Sequence, residues 1–289
     1  MAVSTPVADL ERSSPGSRPV TIIEPPKRWV PLDLRELWDQ RELVYFLAWR
    51  DIKVRYKQTA LGASWAILQP VFGAVLFTMF FGRLGGIPSD GVPYGLWSFT
   101  GLVPWTFFAQ GLQQSANSLI INQNLLRKIY FPRLALPAGT ILSTALDLVL
   151  AFVVLIGVML YNGVWPTARA LWVLPLGVLA FVSALGVGLW FAALSVRYRD
   201  VRYVVPFLVQ FWLFATPVAY PSSLLAPKWR LLYAMNPMTG VVEGFRWALL
   251  GTNTAPGVMI AVSTATALVV LIAGAFYFRS VERTFADLV

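Results

Sequence analysis

The stretch DLRELWDQRELVYFLAWRDIKVRYK, residues 33–57, is followed three residues later by LGASWAILQPVFGAVLFTMFFG, residues 61–82. The first segment is rich in charged residues and the second has none. An apolar run of about 20 residues is long enough to cross a bilayer as a helix. We therefore predict a helix on a membrane surface that leads directly into a membrane-spanning helix, and this junction orients the rest of the chain.

The predicted surface helix has a start signal and two distinct faces. Asp33 followed by Glu36 is a capping-box pattern, which predicts that the helix begins at Asp33. The apolar side chains at helical spacing are Trp38, Tyr45, Trp49, Ile52 and Tyr56. The last turns are basic, with Arg50, Lys53, Arg55 and Lys57. Aromatic residues beside basic ones are typical of an interfacial helix. The alternative is a half-buried helix of a soluble domain.

The composition is that of an integral membrane protein. Of 289 residues, 57% are hydrophobic and only 13% are charged, whereas soluble domains have about 25% charged residues. The chain has no cysteine and no histidine, which excludes disulfides, Cys/His zinc sites and haem ligation. The net charge of +9 favours contact with lipid phosphates, not nucleic acid. Residues 1–32 lack the apolar segment of a signal peptide and are predicted to be a disordered cytoplasmic tail.

The fold class predicted from these patterns is an all-α membrane protein with six transmembrane helices. It has an amphipathic interface helix at 33–59 and a transmembrane domain at 60–285. The predicted spans are 61–82, 96–121, 135–160, 171–195, 203–220 and 257–278. With the N-terminus inside, 18 of the 23 Lys and Arg residues lie on the cytoplasmic side. This bias predicts an even number of spans with both termini cytoplasmic.

Two of the predicted spans contain polar residues that need partners. The second has Gln110, Gln113, Gln114 and Asn117, and we expect this half of the helix to face the protein interior. The third has Asp147 near its middle. Such a carboxylate is either a functional site or a structural group that bonds to neighbouring helices, and the structural role is favoured.

Between the fifth and sixth spans, two apolar pieces at 224–235 and 237–250 are too short to cross a bilayer. Asn236 as cap, Pro237 in the first turn and Gly251 as stop define the second piece as a helix. We predict two re-entrant or interfacial helices on the outer face. Glu243 and Arg246 are three residues apart and form either a structural ion pair inside the bundle or a solvated pair at its rim.

No catalytic constellation is evident in the sequence. A GxxxxGK[ST] phosphate loop is missing, so no cofactor is expected in this chain. Two cytoplasmic loops combine basic and aromatic residues, which is typical of protein-docking surfaces, although simple topology signals are the alternative. Their candidate residues are Arg127, Lys128, Tyr130, Phe131 and Arg133 in the first loop and Arg197, Arg199 and Asp200 in the second.

Four motifs resemble the membrane subunits of bacterial polysaccharide ABC exporters of the ABC-2 type, which export O-antigen, teichoic acid and capsule chains. The first is AWRDIKVRYKQT at 48–59, continued by Leu61, Gly62, Trp65 and LQP at 68–70. The second is YFPR at 130–133 with Leu136 and Pro137. The third is YRDV at 198–201 with PVAY at 217–220, and the fourth is NPMT at 236–239 with EGFR at 243–246. The resemblance covers residues 33–285.

The resemblance implies a homodimeric permease in the bacterial inner membrane. Two copies of the six-span subunit would work with two copies of a separate ATPase, which binds ATP and Mg²⁺. The surface helix and the two cytoplasmic loops would contact this ATPase. The pore would lie at the homodimer interface and pass a glycan linked to polyprenyl diphosphate, as in O-antigen export for lipopolysaccharide biosynthesis.

Two sets of residues are candidates for substrate contact. Aromatic rings can stack on the apolar faces of sugars. Two stripes of mostly aromatic residues, one on the first predicted span and one on the fifth, are expected to line the pore; the alternative is that they face the core or the lipid. The residues of these stripes are Trp65, Gln69, Phe72, Phe80, Phe207, Phe211 and Phe214. Basic residues at headgroup level would attract either the lipid diphosphate at its entry or ordinary anionic lipids; they are Arg50, Lys53, Arg55 and Lys57.

Other functions fit the sequence less well. An ABC-2 permease for a drug or a lipid belongs to the same class and would have no link to glycan synthesis. A membrane-embedded glycosyltransferase needs paired catalytic acids, whereas Asp200 stands alone between Arg199 and Arg202. An ion channel or secondary transporter would require more intramembrane charge than Asp147.

Overall fold

The computed structural model describes residues 39–57, 64–128, 131–252 and 257–282, and all regular elements in these ranges are helices. They are α1 Arg41–Lys57, α2 Ser64–Phe77, α3 Tyr94–Ile121, α4 Gln123–Lys128, α5 Ala135–Tyr161, α6 Val173–Arg197, α7 Val201–Phe214, α8 Pro227–Ala234, α9 Pro237–Leu250 and α10 Gly257–Val281. A π-helical segment, Thr78–Leu84, continues α2, and a 3₁₀ turn, Ala168–Trp172, leads into α6. The predicted tail and the predicted helix start at Asp33 lie outside the described residues.

The all-helical prediction is confirmed for the described residues, whereas the number of spans stays a prediction. Four helical segments are long and apolar enough to cross a membrane: Ser64–Leu84, Ala135–Tyr161, Ala168–Arg197 and Gly257–Val281. The 28-residue α3 is about 42 Å long, although it is more polar. The predicted fifth span at 203–220 differs most from the structure. It is helical only to Phe214, and the 14 residues of α7 extend about 21 Å.

The central helix of the bundle is α3, which packs against α2, α5, α6, α7 and α9. Most of its side chains are buried, including the bulky Trp97 and Phe108. The adjacent α2 and α7 pack against α3 with one face only and expose broad apolar faces. The bundle therefore has a closed side, built by α5, α6, α9 and α10, and an open side flanked by α2 and α7.

Glycines allow two pairs of helices to approach closely. A Cβ atom on Gly274 of α10 would lie 2.6 Å from the carbonyl oxygen of Gly186 on α6. At the other contact, a Cβ atom on Gly139 of α5 would lie 3.1 Å from the Cβ of Leu47 on α1. Small residues at crossing points let helix backbones come together, which is a common way to pack helices in membranes.

The face of α1 that contacts the bundle differs from its aromatic face. Leu47 and Ala48 are buried against α5, whereas Tyr45 is 65% exposed and Trp49 is 45% exposed. Leu47 joins a hydrophobic cluster with Phe131 and with Phe278 of α10. This contact thus uses a stripe of small and aliphatic residues, and Tyr45 and Trp49 of the aromatic face point away from it. Placement of that face in the membrane interface stays a prediction.

Candidate functional site

The open side of α3 is a strip of polar residues. Between residues 106 and 120, the partly exposed positions are Thr106, Gln110, Gln113, Gln114, Asn117 and Ile120, and all other positions are buried. Four of them, Thr106, Gln110, Gln113 and Asn117, recur at steps of four, three and four and therefore share one helix face. Side-chain amides are costly in hydrocarbon. This strip must therefore face protein, water or a polar solute.

Two flanking glutamines extend the strip into a groove. Gln69 of α2 and Gln210 of α7 line a cavity of about 430 Å³ together with Thr106 and Gln113 of α3. Trp105 also lines it, and no charged side chain contributes to the described lining. We call these six residues, Gln69, Thr106, Gln110, Gln113, Asn117 and Gln210, the polar lane.

A second cavity adjoins the first along α2. It measures about 240 Å³ and shares Gln69 with the larger one. Trp65 and Gln114 also line it, and the Nε2 of Gln110 donates a hydrogen bond to the Oε1 of Gln69 at 2.8 Å. The two cavities therefore form neighbouring sections of one groove, whose lining includes amides and indole rings among apolar side chains.

The wall of the smaller cavity is a polar joint between α1 and the bundle. The Arg55 guanidinium donates to the carboxylate of Asp147 and to the side-chain carbonyl of Gln114. It also donates to the Ser143 hydroxyl at 3.2 Å, and the Tyr56 hydroxyl donates to the other carboxylate oxygen of Asp147. This joint connects α1 to α3 and α5.

Tyr56 remains a hydrogen-bond donor in this joint across the physiological pH range. Burial, together with the hydrogen bond to the Asp147 carboxylate, raises the pKa of Tyr56 to about 12. The phenol is therefore protonated near neutral pH, so Asp147 receives donors from both residues of α1. The structure thus places Asp147, a candidate structural residue, in bonds with a neighbouring helix.

The four candidate entry residues have different environments. Arg50 pairs with Asp51 at 2.9 Å and donates to the Oδ1 of Asn122 at 2.8 Å. Arg55 is held in the joint with Asp147. Lys53 and Lys57 are exposed, and the Lys53 ammonium lies 5.4 Å from the centroid of the Trp49 ring. The two lysines are the members of this set on the open surface of α1.

The candidate channel residues divide between the groove and its margins. Trp65 and Gln69 line the smaller cavity. The others lie on the exposed faces of the two flanking helices and line neither cavity: Phe72 and Phe80 in the α2 segment, and Phe207, Phe211 and Phe214 on α7. Each of these five phenylalanines is 49–64% exposed. Two apolar faces therefore flank the polar lane.

At the opposite end of the bundle, Arg246 is completely buried beneath the turn that follows α7. Its guanidinium donates to the backbone carbonyls of Trp97, Pro217 and Val218. It lies 3.3 Å from the centroid of the Trp97 ring and 3.5 Å from the Glu243 carboxylate. The structure thus places the Glu243–Arg246 pair inside the bundle, where the arginine holds the turn by its backbone.

Other side chains bond to further backbone groups in and beside this turn. The Asn236 amide donates to the Ala215 carbonyl at 3.0 Å, and the Tyr94 hydroxyl donates to the Ala219 carbonyl at 2.5 Å. The Ser222 amide donates to the Glu243 carboxylate at 3.1 Å. Non-helical backbone at membrane depth is tolerated where protein groups satisfy it. The sequence indicated the pair of Glu243 and Arg246 by their spacing but did not reveal their backbone partners. Every residue has a backbone carbonyl, so the sequence does not show which carbonyls accept hydrogen bonds from side chains.

Most of the candidate docking residues are exposed at the α1 end of the bundle. They are Arg127, Lys128, Arg197, Arg199 and Asp200. Arg133 donates to the carbonyl of Glu282, just after α10. Phe131 is only 8% exposed and packs in the cluster with Leu47. Any coupling through Phe131 would therefore run through that cluster, and Tyr130 lies outside the described residues.

The groove offers hydrogen bonds and ring faces. Within the described ranges, no group of three or more Asp and Glu side chains is placed to hold a metal ion. The paired Arg55 and Asp147 are the charged residues that line the smaller cavity. Such an arrangement suits the binding and passage of a hydroxyl-rich solute.

Comparison with known proteins defines the class of this protein. Residues 42–250 match the family model described as ABC-2 type transporter, so the chain belongs to the ABC-2 type transporter family and is a membrane protein. It is similar to the O-antigen export system permease protein RfbA of Myxococcus xanthus, with 26% identity over 88% of this chain and 98% of that protein.

Two further relatives cover similar shares of the chain. A protein of the same name from Klebsiella pneumoniae is 24% identical over 86% of this chain and 95% of its own length. The polysialic acid transport protein KpsM of Escherichia coli is 25% identical over 84% of this chain and 95% of its own length.

Proposed function

We propose that this chain is the membrane permease of an ATP-driven exporter that moves a lipid-linked polysaccharide, such as O-antigen, across the inner membrane. Membership of the ABC-2 type transporter family supports the transport class. The relatives named for O-antigen export and polysialic acid transport, matched along nearly their whole length, support a polysaccharide as the cargo.

The observation that carries the proposal is the polar lane. The central helix of the bundle, α3, opens along one strip, and that strip is lined by amides and a hydroxyl from Thr106 to Asn117. A sugar chain presents many hydroxyls, which exchange water for amide partners at little cost, and ring faces that stack on aromatic side chains. A lane of this kind holds such a chain without binding it tightly at any one place.

The pore is completed by a second copy of the chain. In a lone subunit the polar lane would face hydrocarbon between α2 and α7, where amides are costly. The aromatic faces of those helices, with Phe72 and Phe211 about 59% exposed, are broad enough to meet their symmetry mates. Pairing of two such sides encloses the polar lane in a channel shared by both subunits.

The proposed topology has six spans with both termini in the cytoplasm. α3 crosses the membrane as the second span, and α7 with the following turn forms the fifth. The turn is able to lie at membrane depth because Arg246, Asn236 and Tyr94 satisfy its carbonyls. α8 and α9 then re-enter from the outer side, and the distribution of Lys and Arg places the α1 end inside.

The α1 end is the proposed contact for two copies of a separate ATPase, which binds ATP and Mg²⁺. Exposed Arg127, Lys128, Arg197 and Arg199 surround the end of the bundle to which α1 is docked. The joint from Arg55 to Asp147 would transmit movement of α1 to α3 and α5. Exposed Lys53 and Lys57 remain available to attract the diphosphate of the lipid carrier.

Co-purification tests the proposal. The tagged chain is expressed with the genes that surround it, and proteins that purify in equal amount are identified. We expect an ATPase with a phosphate loop, and we expect the reconstituted pair to hydrolyse ATP faster when a lipid-linked glycan is added. A chain that purifies alone, and vesicles that show no ATP-driven glycan uptake when candidate ATPases are added, would contradict the proposal.

A further inference from the structure

The polar lane is notable for its lack of charge. Its six residues carry amides or a hydroxyl, and the larger cavity has no ionisable side chain in its described lining. The smaller cavity has Arg55 and Asp147, which bind each other and so contribute no net charge. Along α3, the strip from Thr106 to Asn117 extends about 16 Å, roughly half the thickness of a hydrocarbon core.

From this we infer that the permease selects glycans with uncharged repeating units over glycans that carry a carboxylate on each unit. The inference rests on the proposed function and specifies its substrate class. Percentage identity does not distinguish the two cargoes, because the relatives named for O-antigen export and for polysialic acid transport are 26% and 25% identical to this chain.

The physical reason is the cost of desolvating an anion. A neutral sugar that enters the lane exchanges water for amide donors and acceptors of Gln69, Gln113 and Gln210. A carboxylate loses the same water but finds no cation to replace it, and an unpaired charge in a membrane interior is expensive. Exposed basic residues lie at both ends of the bundle, with Lys53 and Lys57 at the α1 end and Arg83 and Lys228 at the other, whereas the described lining of the larger cavity between them has no cation.

The experiment compares two probes in vesicles that contain the chain and its co-purified ATPase. Both are oligosaccharides of equal length on the same polyprenyl diphosphate, one of mannose and one of glucuronic acid. We expect the mannose probe to be transported about tenfold faster or more, because each carboxylate crosses the lane without a counter-charge. Equal or faster transport of the glucuronic acid probe would overturn the inference and leave the proposed function intact.

Failure of both probes, in vesicles where the ATPase is present in equal amount, would overturn the inference together with the proposed function. A charge variant provides the second measurement. Gln210→Lys places a cation in the lane and is expected to reduce the preference for the neutral probe several-fold. Val153→Lys is the control, because Val153 is 63% exposed on α5, away from the open side, and lines neither cavity. An unchanged preference in Gln210→Lys, or the same change in Val153→Lys, would also overturn the inference.

Discussion

Arg55 attaches the last turn of α1 to the bundle through polar bonds. Its charge is paired with Asp147, whose side chain is 9% exposed, and its remaining donors reach Gln114 and Ser143. A partly buried ion pair contributes little relative to an apolar pair, but removal of one partner leaves the other charge unpaired and costly. Both members are therefore needed together.

We expect Arg55→Gln and Asp147→Asn to be strongly non-additive. In Arg55→Gln, the Asp147 carboxylate loses its charged partner and keeps only the Tyr56 hydroxyl as a donor from α1. We expect this loss to lower the apparent free energy of unfolding by about 2–4 kcal/mol. Asp147→Asn has a smaller effect, because the Arg55 side chain is 27% exposed and keeps Gln114. The double variant is expected to lose about 1–3 kcal/mol less stability than the sum of the losses in the two single variants. Denaturant unfolding of the purified chain in detergent measures all four proteins.

The control cycle uses Arg50→Gln and Asp51→Asn. This pair lies on the same helix, but its side chains are 34% and 20% exposed, so a coupling of less than about 1 kcal/mol is expected. Additive effects at Arg55 and Asp147, or an equal coupling at the control pair, would contradict the role of the joint.

Sequence reasoning was most reliable where the signal is local. Asn236, Pro237 and Gly251 predict a helix at 237–250, and α9 has these bounds, with the Asn236 side chain accepting from the Met238 amide and Gly251 at φ 68°. The pairing of Arg55 with Asp147 was not predicted. These residues are 92 positions apart, and Arg55 has the same basic signal as the exposed lysines beside it.

At the scale of elements, the packing of α1 against α5 depends on Gly139. A Cβ atom there would lie 3.3 Å from the carbonyl oxygen of Val44 as well as close to Leu47. The backbone of α1 is thus the surface that meets α5, and a larger side chain at 139 separates the helices. Helical periodicity assigned the aromatic stripe of α1 to the membrane interface and named no stripe for contact with the bundle. The structure shows that Leu47 and Ala48 make this contact.

We expect Gly139→Val to loosen α1. The added side chain meets Leu47 and the Val44 carbonyl, and overpacking of this kind costs about 1–3 kcal/mol. Limited proteolysis should then cleave the chain near α1 faster, and the unfolding temperature in detergent should fall. Gly157→Val is the control on the same helix, because a Cβ at Gly157 would have no atom within 4 Å. Equal changes in the two variants would show that a loss of helix flexibility, and not the contact with α1, is responsible.

The other difference between prediction and structure at this scale is the fifth span. Hydropathy extends the span to residue 220, but the helix ends at Phe214 because the next carbonyls find side-chain partners instead of helical ones. Arg246 and Asn236 supply these partners from the region of α9. A scan of apolar residues cannot detect such an end, since the turn residues Pro217, Val218 and Ala219 are themselves apolar.

For the whole molecule, the open side with its polar lane is the feature that a single subunit cannot explain. From their polarity we predicted that Gln110, Gln113 and Gln114 face the protein interior, but within the subunit they are partly exposed positions of α3 on its open side. We did not predict that Trp65 would line the smaller cavity whereas Phe72 and Phe211 line neither cavity, although all three are similarly exposed. That difference depends on how α2 and α7 are placed against α3.

Site-specific cross-linking tests whether the outer faces meet a second copy. The chain has no cysteine, so a single introduced cysteine is unique without further engineering. We expect Phe211→Cys and Phe72→Cys to form covalent dimers in membranes with a short bis-maleimide, because an isologous interface brings equivalent residues of the two subunits near each other. Val153→Cys should stay monomeric, since Val153 is 63% exposed on α5 and away from the open side. Dimers of Val153→Cys, or monomers of both phenylalanine variants in a complex that exports glycan, would place the interface on another face. The polar lane would then need a different partner to cover it.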